Sequence, residues 1–409
     1  MRPKPGRRTP GFTWLEESYI TMQVISGEGM VFSYLRNNRY FAQVADGIED
    51  LGAGELTSLG ASDVKPTFRG VYFSADKPTL YRINYTSRLL THVFAPLVSF
   101  DCHSTKYLYK TARTLPWPEL MGLEETFMIS SNVSHSKIRH SQYAALVLKD
   151  AIVDTFNERY GKRPDVERIH PDLVFNLHIF NNKATIYLDT SGGSLHRRGY
   201  RKEAVGAPMQ ETLAAAIVEL SGWDGSTPLY DPMCGSGTLL CEALMRYCRI
   251  PSGYLRTSFG FEHLPDFDRA VWVRVKKGED KAIRELPRGL VSGSDASGEA
   301  VSTARANASR LKGEDRVVLK KSRYQEIGGL QGHTIVCNPP YGIRMKGQDD
   351  MKTFIREFGD FLKQKCQGST AFVYFGDRSL VKSVGLRSTW KKPLKNGPLD
   401  GRLVRYDLY

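Results

Sequence analysis

Three short segments carry residue types able to do chemistry, and each follows an apolar run that reads as a strand. The first is DPMCGSGT, from Asp231 to Thr238. Gly235 and Gly237 stand between a strand and a helix, where a residue without Cβ lets the backbone approach a ligand and the helix N-terminus favours a carboxylate. Taken alone, the same turn suits a tight β–α connection in any α/β protein. Its spacing is not GxGxxG and no GKS or GKT triplet follows, which excludes the dinucleotide fingerprint and the phosphate-cradling P-loop. The second segment, VSGSD, ends at Asp295. A carboxylate at a strand tip can take both hydroxyls of a ribose; the other reading makes it the N-cap of the next helix. The third is Asn338-Pro339-Pro340-Tyr341. Two prolines stiffen the loop and remove two N–H donors. The Asn338 amide oxygen and the Pro339 carbonyl then accept from an exocyclic amine, and Tyr341 offers a flat face to a planar base. That set suits methyl transfer from a sulfonium to a base nitrogen, which needs alignment and an acceptor for the leaving proton. A plain proline turn is the bland alternative.

These segments need a scaffold that brings strand tips together. From Met209 onward, helical and strand patterns alternate: helix 209–220, strand 229–231, helix 238–248, strand 290–294, helix 297–311, strands 317–319 and 334–337, helix 351–365, strand 370–375. This order predicts an open parallel sheet with helices on both faces. Between the first two motifs, 250–288 is an insertion rich in Arg269, Arg274, Lys276, Lys277, Lys281, Arg284 and Arg288, read as a helical excursion with a wet basic face. The first half differs. A strand at 39–44, a helix at 47–59 stopped by Gly60 and a strand at 70–73 suggest a small α+β unit. Apolar residues recur at helical spacing over 80–92 and again over 143–156, and 175–179 and 184–189 form a hairpin through Asn181-Asn182-Lys183. Between the halves, TSGGSLHRRGYRK (190–202) reads either as a hinge with a basic face or as a solvated linker.

The 409 residues suggest two or three domains. Lys and Arg number 57 against 44 Asp and Glu, a net +13 that favours a polyanionic partner. None of the six cysteines forms a CxxC pair, so they read as small core residues in a reducing compartment, and no metal is expected. No apolar run approaches the roughly 18 residues that would span a membrane. The first fifteen residues carry Arg2, Lys4, Arg7 and Arg8 without an acid or a secretory apolar core, which suits a basic tail better than an organellar transit segment.

DPMCGSGT together with NPPY resembles the class I S-adenosyl-L-methionine-dependent methyltransferases that act on amino groups. LDTSGGSLHRRGYR (188–201), APMQETLAAAI (207–217), NPPYGIRM, YFAQVADGIEDLGAGELTSL (40–59) and the NG.LDGRL pattern at 396–403 narrow it: over about 39–409 the chain resembles the RlmL-type 23S rRNA guanine-N2 methyltransferases. The resemblance implies an α/β fold. A Rossmann-like class I methyltransferase domain (191–409, hinge 190–202) would follow an N-terminal α+β half, made of a ferredoxin-like segment (39–77) and a THUMP-like RNA-binding domain (78–190), after a basic tail (1–38). It implies S-adenosyl-L-methionine held by Asp231, Cys234, Gly235, Gly237, Asp295, Ser322 and Asn338, with Asn338, Pro339 and Tyr341 catalytic and N2-methylguanosine as product. The partner would be large-subunit rRNA, free or in an assembling particle, gripped by basic residues of both halves: Lys137, Arg139, Arg197, Arg198 and Arg201. The location would be cytoplasmic, or mitochondrial or plastid in a eukaryote. Where the family usually has an acid reaching the adenine amine, this chain has Lys321-Ser322-Arg323, with Ser322 as the substitute; Ile343 follows NPPYG where an acid is usual. No second methyltransferase domain, fused in some members, is expected here. The alternatives are a non-catalytic RNA-binding ribosome-assembly factor, favoured by those two departures, and an amino-methylase of tRNA guanine or DNA adenine.

Overall fold

In the computed structural model, residues 31–201, 209–340, 348–397 and 399–409 are described. After a short helix, α1 (Ser33–Asn37), strand β1 (Arg39–Val44) buries Tyr40, Ala42 and Val44 and turns the residues between them outward, the period-2 pattern of a half-buried strand. Next come α2 (Glu49–Ser58), β2 (Ser62–Thr67), β3 (Gly70–Ser74), α3 (Lys77–Thr86) and β4 (Leu90–Asp101). The half ends with α4 (Thr105–Ala112), β5 (Phe127–Ser134), α5 (Ser141–Tyr160), β6 (Leu173–Phe180) and β7 (Lys183–Asp189). All seven strands form one sheet, in the order β2-β3-β1-β4-β7-β6-β5. The helical spacing expected over 80–92 holds only to Thr86; from Leu90 the chain is strand β4, paired with β1 on one side and β7 on the other. The break expected at 77/78 is therefore not a break in the sheet. The hairpin turn is two residues, Asn181 (φ 49°) and Asn182 (φ 59°), the left-handed pair that matches strand twist. The end of the expected basic tail is folded: Phe32 and Tyr34 are in the core, and Tyr34 Oη donates to Asp266 Oδ1 at 2.9 Å.

The second half comprises α6 (Glu211–Leu220), β8 (Leu229–Asp231), α7 (Thr238–Cys248), α8 (Arg269–Lys281), β9 (Val291–Asp295), α9 (Gly298–Ala308), β10 (Val318–Lys321), β11 (Thr334–Cys337), α10 (Gln348–Lys365), β12 (Thr370–Phe375), β13 (Trp390–Asn396) and β14 (Leu399–Asp407). Strand order is β10-β9-β8-β11-β12-β14-β13. Alternate residues feed two cores on opposite faces: Val336, Phe372 and Tyr374 face the core that holds α6 and α7, whereas Ile335, Cys337, Ala371 and Val373 face the core of α10. The sheet is not wholly parallel as expected, because β14 runs antiparallel to both β12 and β13. Lys391, Lys392, Pro393 and Lys395 make β13 look like charged surface, yet lysine and proline are how an edge strand resists further pairing. The order reverses between β9-β8 and β11-β12, opening a crevice above the carboxyl ends of β8 and β11.

Over 190–201, the described part of the expected hinge, the chain is not a solvated linker, though Arg197 keeps an exposed basic side. Thr190 and Ser191 are fully buried, and Leu195, Arg198 and Tyr200 are each 1% exposed, so the segment is a packed strap. Arg198 donates to the carbonyls of Leu195 (2.7 Å) and Arg88 and faces Glu242 of α7, which also accepts from Tyr200 Oη at 3.0 Å. The 250–288 insertion forms a helix with Arg269, Arg274, Lys277 and Lys281 exposed, as expected, and it is also docked: α8 packs on α3, with Arg82 bonded to Glu279 (2.9 Å), Tyr85 to Asp280 (2.6 Å), and Trp272 edge-on to Tyr85 and Phe261.

Candidate active site

Strand β8 delivers Asp231 to the crevice, 1% exposed, with the Met233 N–H donating to Oδ1 at 3.0 Å. Burial, reinforced by the Asp295 charge, pushes its carboxyl up to about 8. The two turn glycines, both at positive φ, divide the work. A Cβ on Gly235 would meet nothing within 4 Å, so this position faces open crevice; on Gly237 it would lie 2.9 Å from the Ala304 Cβ. Gly237 is thus needed for the close approach of α7 and α9, a packing role beside the ligand contact expected of it. The Cys234 side chain is 6% exposed, packs beside Gly293 and has its thiol pushed up by burial, so it faces the sheet. Asp295 braces the turn, accepting from Gly235 N at Oδ2 and Ser297 N at Oδ1, both at 2.9 Å. The N-cap of α9 is Ser297, which accepts from Ala300 N, so the capping role does not fall to Asp295. A carboxylate has about four lone-pair sites, leaving two for a diol.

Ile335 pairs with Tyr230, so Asn338 stands two residues past the level of Asp231, roughly 7 Å farther along the strand direction. Its Oδ1 is buried and has no hydrogen-bond partner among the described residues. Leaving such an acceptor unpaired costs about 1–3 kcal/mol, which an amine donor would recover. Pro339 is buried beside it; Tyr341 and Ile343 lie outside the described residues. At the tip of β10, Ser322 Oγ lies 3.3 Å from Glu326 Oε2, which also accepts from Arg323 N at 3.0 Å. An acid from the next turn thus stands beside Ser322, its carboxylate exposed at the tip of β10. Sequence reasoning missed Glu326, for which the only local signal is a glutamate three residues after a turn start. Together, an open glycine and two carboxylates, Asp231 and the diol acceptor Asp295, fit the cationic amino-acid end and ribose of S-adenosyl-L-methionine.

Of the five cations expected to hold RNA, Lys137, Arg139 and Arg197 are exposed. The Lys137 loop is tied to the β6–β7 turn through Lys137 N and Ser136 Oγ, both donating to Asn182 Oδ1. Arg198 and Arg201 are corrections. Arg198 is locked on Glu242 inside the strap, and Arg201 turns inward to Glu211 Oε1 (2.9 Å) and Thr238 Oγ1 (3.1 Å). Adjacent arginines here point to opposite sides of the chain, which composition does not reveal. Among the described residues no helix is long and apolar enough to cross a membrane.

Comparison with known proteins agrees with this geometry. Residues 39–94 match the RlmL ferredoxin-like domain, 102–189 the THUMP domain and 198–405 the RMKL-like methyltransferase domain. The first match ends within β4, at 94, and the second begins one residue after that strand. The protein slr0064 of Synechocystis sp., provisionally named an RNA methyltransferase, is 39% identical over 372 residues, covering 90% of this chain and 97% of the relative. Ribosomal RNA large subunit methyltransferase K/L of Syntrophotalea carbinolica is 37% identical over 384 residues, 90% of this chain but 53% of its own length. The chain thus spans about half the length of the K/L relatives. Among solved structures, SMU.472, provisionally a methyltransferase and complexed with SAH, superposes with a TM-score of 0.80 at 28% identity, over 91% of this chain and 98% of that one. With the crevice, the strand order and these matches in agreement, the chain belongs to the RMKL-like methyltransferase family.

Proposed function

We propose that this chain uses S-adenosyl-L-methionine to methylate the exocyclic amine of a guanine in large-subunit rRNA, forming N2-methylguanosine. The single observation that carries the reading is the buried, unpaired Oδ1 of Asn338 at the tip of β11. When bound, the cofactor supplies an electrophilic methyl group. Asp231 and Asp295 hold its amino-acid end and ribose, and the open face of Gly235 admits it. Asn338 Oδ1 accepts one amine N–H and the Pro339 carbonyl the other, which turns the nitrogen lone pair toward the methyl. The departing proton passes from the Asn338 hydrogen bond to solvent. The guanine must leave its stack to reach Asn338, at a cost of a few kcal/mol. The THUMP match and the basic surface support RNA as substrate, and the names of the K/L relatives support large-subunit rRNA.

The test is methyl transfer to naked rRNA, tRNA and duplex DNA, followed by nucleoside mass spectrometry. Asn338→Ala is expected to lower kcat at least about 100-fold, as loss of an aligning group does, while calorimetric affinity for S-adenosyl-L-homocysteine stays within about twofold. Near-normal turnover by the variant would remove Asn338 from the mechanism. Methylation of tRNA or DNA but not rRNA would replace the substrate, and absence of cofactor binding in the wild type would leave an RNA-binding assembly factor.

A further inference from the structure

Helix α7 starts directly after β8, at the carboxyl edge of the sheet. Helix α6 reaches β8 through 221–228 at the opposite edge, so its own start lies at the same edge as that of α7. The side chain of Arg201 lies across these two helix N-termini. Its Nε donates to Oε1 of Glu211, the first residue of α6, at 2.9 Å. Its Nη2 donates to Oγ1 of Thr238, the first residue of α7, at 3.1 Å, and to the Met209 carbonyl at 3.0 Å. The side chain is 18% exposed, and the remaining nitrogen, Nη1, is buried with no hydrogen-bond partner among the described residues.

A guanidinium stays protonated, so a buried Nη1 without an acceptor is a donor prepared for one. Glu211 and Thr238 fix the plane of the fork, which removes the usual entropy of a long side chain. Two helix N-termini at the same spot add positive potential. An anion with planar oxygens, a carboxylate above all, matches that fork. Thr238 immediately follows the 231–237 turn, whose Gly235 opens on the crevice. Asp295 stands on the β9 side of that turn, where a ribose would be held; Arg201 stands on the α6 side, where the other end of the same ligand would reach.

We infer that Arg201, aimed by Glu211 and Thr238, binds the carboxylate of the cofactor's amino-acid end. The inference rests on the reading of the crevice as a site for S-adenosyl-L-methionine. Two probes separate it from a structural role: S-adenosyl-L-homocysteine, which carries the amino-acid end, and 5′-methylthioadenosine, which keeps the adenosine and thioether but lacks it. Calorimetry is done on the full chain. Arg201→Gln is expected to weaken S-adenosyl-L-homocysteine about 10- to 100-fold, the range of a hydrogen bond to a charged group, and to leave 5′-methylthioadenosine within about twofold. Because Arg201→Gln alone leaves Glu211 buried without its cation, the measurement is repeated on Arg201→Gln/Glu211→Gln, where the same selective loss is expected. Equal weakening of both probes would assign Arg201 to shaping the turn and overturn the inference; unchanged affinity for both would overturn it too. Filter binding of an rRNA fragment is expected to be unchanged, and lost RNA affinity with intact S-adenosyl-L-homocysteine binding would return Arg201 to the RNA path. Failure of the wild type to bind S-adenosyl-L-homocysteine would strike the cofactor reading itself, a result distinct from all of these.

Discussion

Asp231 is costly to bury as an anion, and that cost has a measurable pH signature. Its carboxyl sits at about 8 against an ordinary 3.8, chiefly because burial disfavours the charge. The folded chain therefore holds a proton that the unfolded chain releases. Below pH 4 the group carries no penalty. Between about 4 and 8 the penalty grows, and above 8 it is complete, so this residue makes the ligand-free protein less stable as pH rises through that window. A ligand with cationic groups reverses the preference and favours the carboxylate. Binding of S-adenosyl-L-methionine at pH 7 is accordingly expected to release about one proton, read as a dependence of the calorimetric enthalpy on buffer ionisation heat. Affinity should rise by up to about tenfold per pH unit from 6 to 8 and level off above 8. Asp231→Asn should bind weakly, with that slope gone. A wild-type affinity that stays flat from pH 6 to 9 would mean that Asp231 does not meet the cofactor's positive charge.

At the scale of elements, α7 is held along its whole length. Arg201 holds its first residue, the strap residues Arg198 and Tyr200 meet Glu242 in its middle, and Arg88 of the first half donates to the carbonyls of Met245 (2.6 Å) and Ile250 (2.8 Å) at its end. The helix that carries the cofactor turn is thus fastened to the RNA-binding half. Removing one partner of a buried ion pair costs about 3–5 kcal/mol. Arg198→Ala is expected to lower unfolding stability by that order in urea titrations while leaving the salt dependence of RNA binding unchanged; a shallower salt slope at unchanged stability would put Arg198 back on the surface. Such details explain what was legible in the chain. Asp231, Asp295 and Asn338 could be placed because each ends an apolar run at a strand tip, a local pattern. The junction of α3 and β4 could not, since only Ser87, Arg88 and Leu89 separate two apolar runs and none of them is glycine or proline. The β13–β14 hairpin was hidden by its lysines. The inward turn of Arg198 and Arg201, the packing role of Gly237 and the arrival of Glu326 beside Ser322 all depend on elements distant in sequence, so no local pattern announced them.

Across the whole molecule, the net charge of +13 overstates what RNA can reach. Arg88, Arg198 and Arg201 serve as internal fasteners, Arg256 spans the strap carbonyls of Ser191 and Gly192, and Arg402 and Arg405 are paired with Asp400 and Asp407. What remains on the surface includes Lys137 and Arg139 on the β5–α5 loop, anchored by Asn182, and Arg197 on the strap. The strap and the α3–α8 contact join the two halves, so the loop and the crevice are held at a set separation; on the proposed reading, RNA gripped at one presents its base at the other. Phosphate contacts release counterions, and each one lost should flatten the plot of log affinity against log salt by about 0.7–0.9. Lys137→Ala/Arg139→Ala is therefore expected to bind rRNA fragments more weakly at low salt, with a slope shallower by about 1.4–1.8 if both touch phosphate. Affinity for S-adenosyl-L-homocysteine should not move, because the crevice lies in the other half. The apparent KM for RNA should rise with kcat little changed, since the base, once delivered, meets the same Asn338. A slope equal to that of the wild type would remove this loop from the RNA path and leave recognition to the strap and the crevice rim.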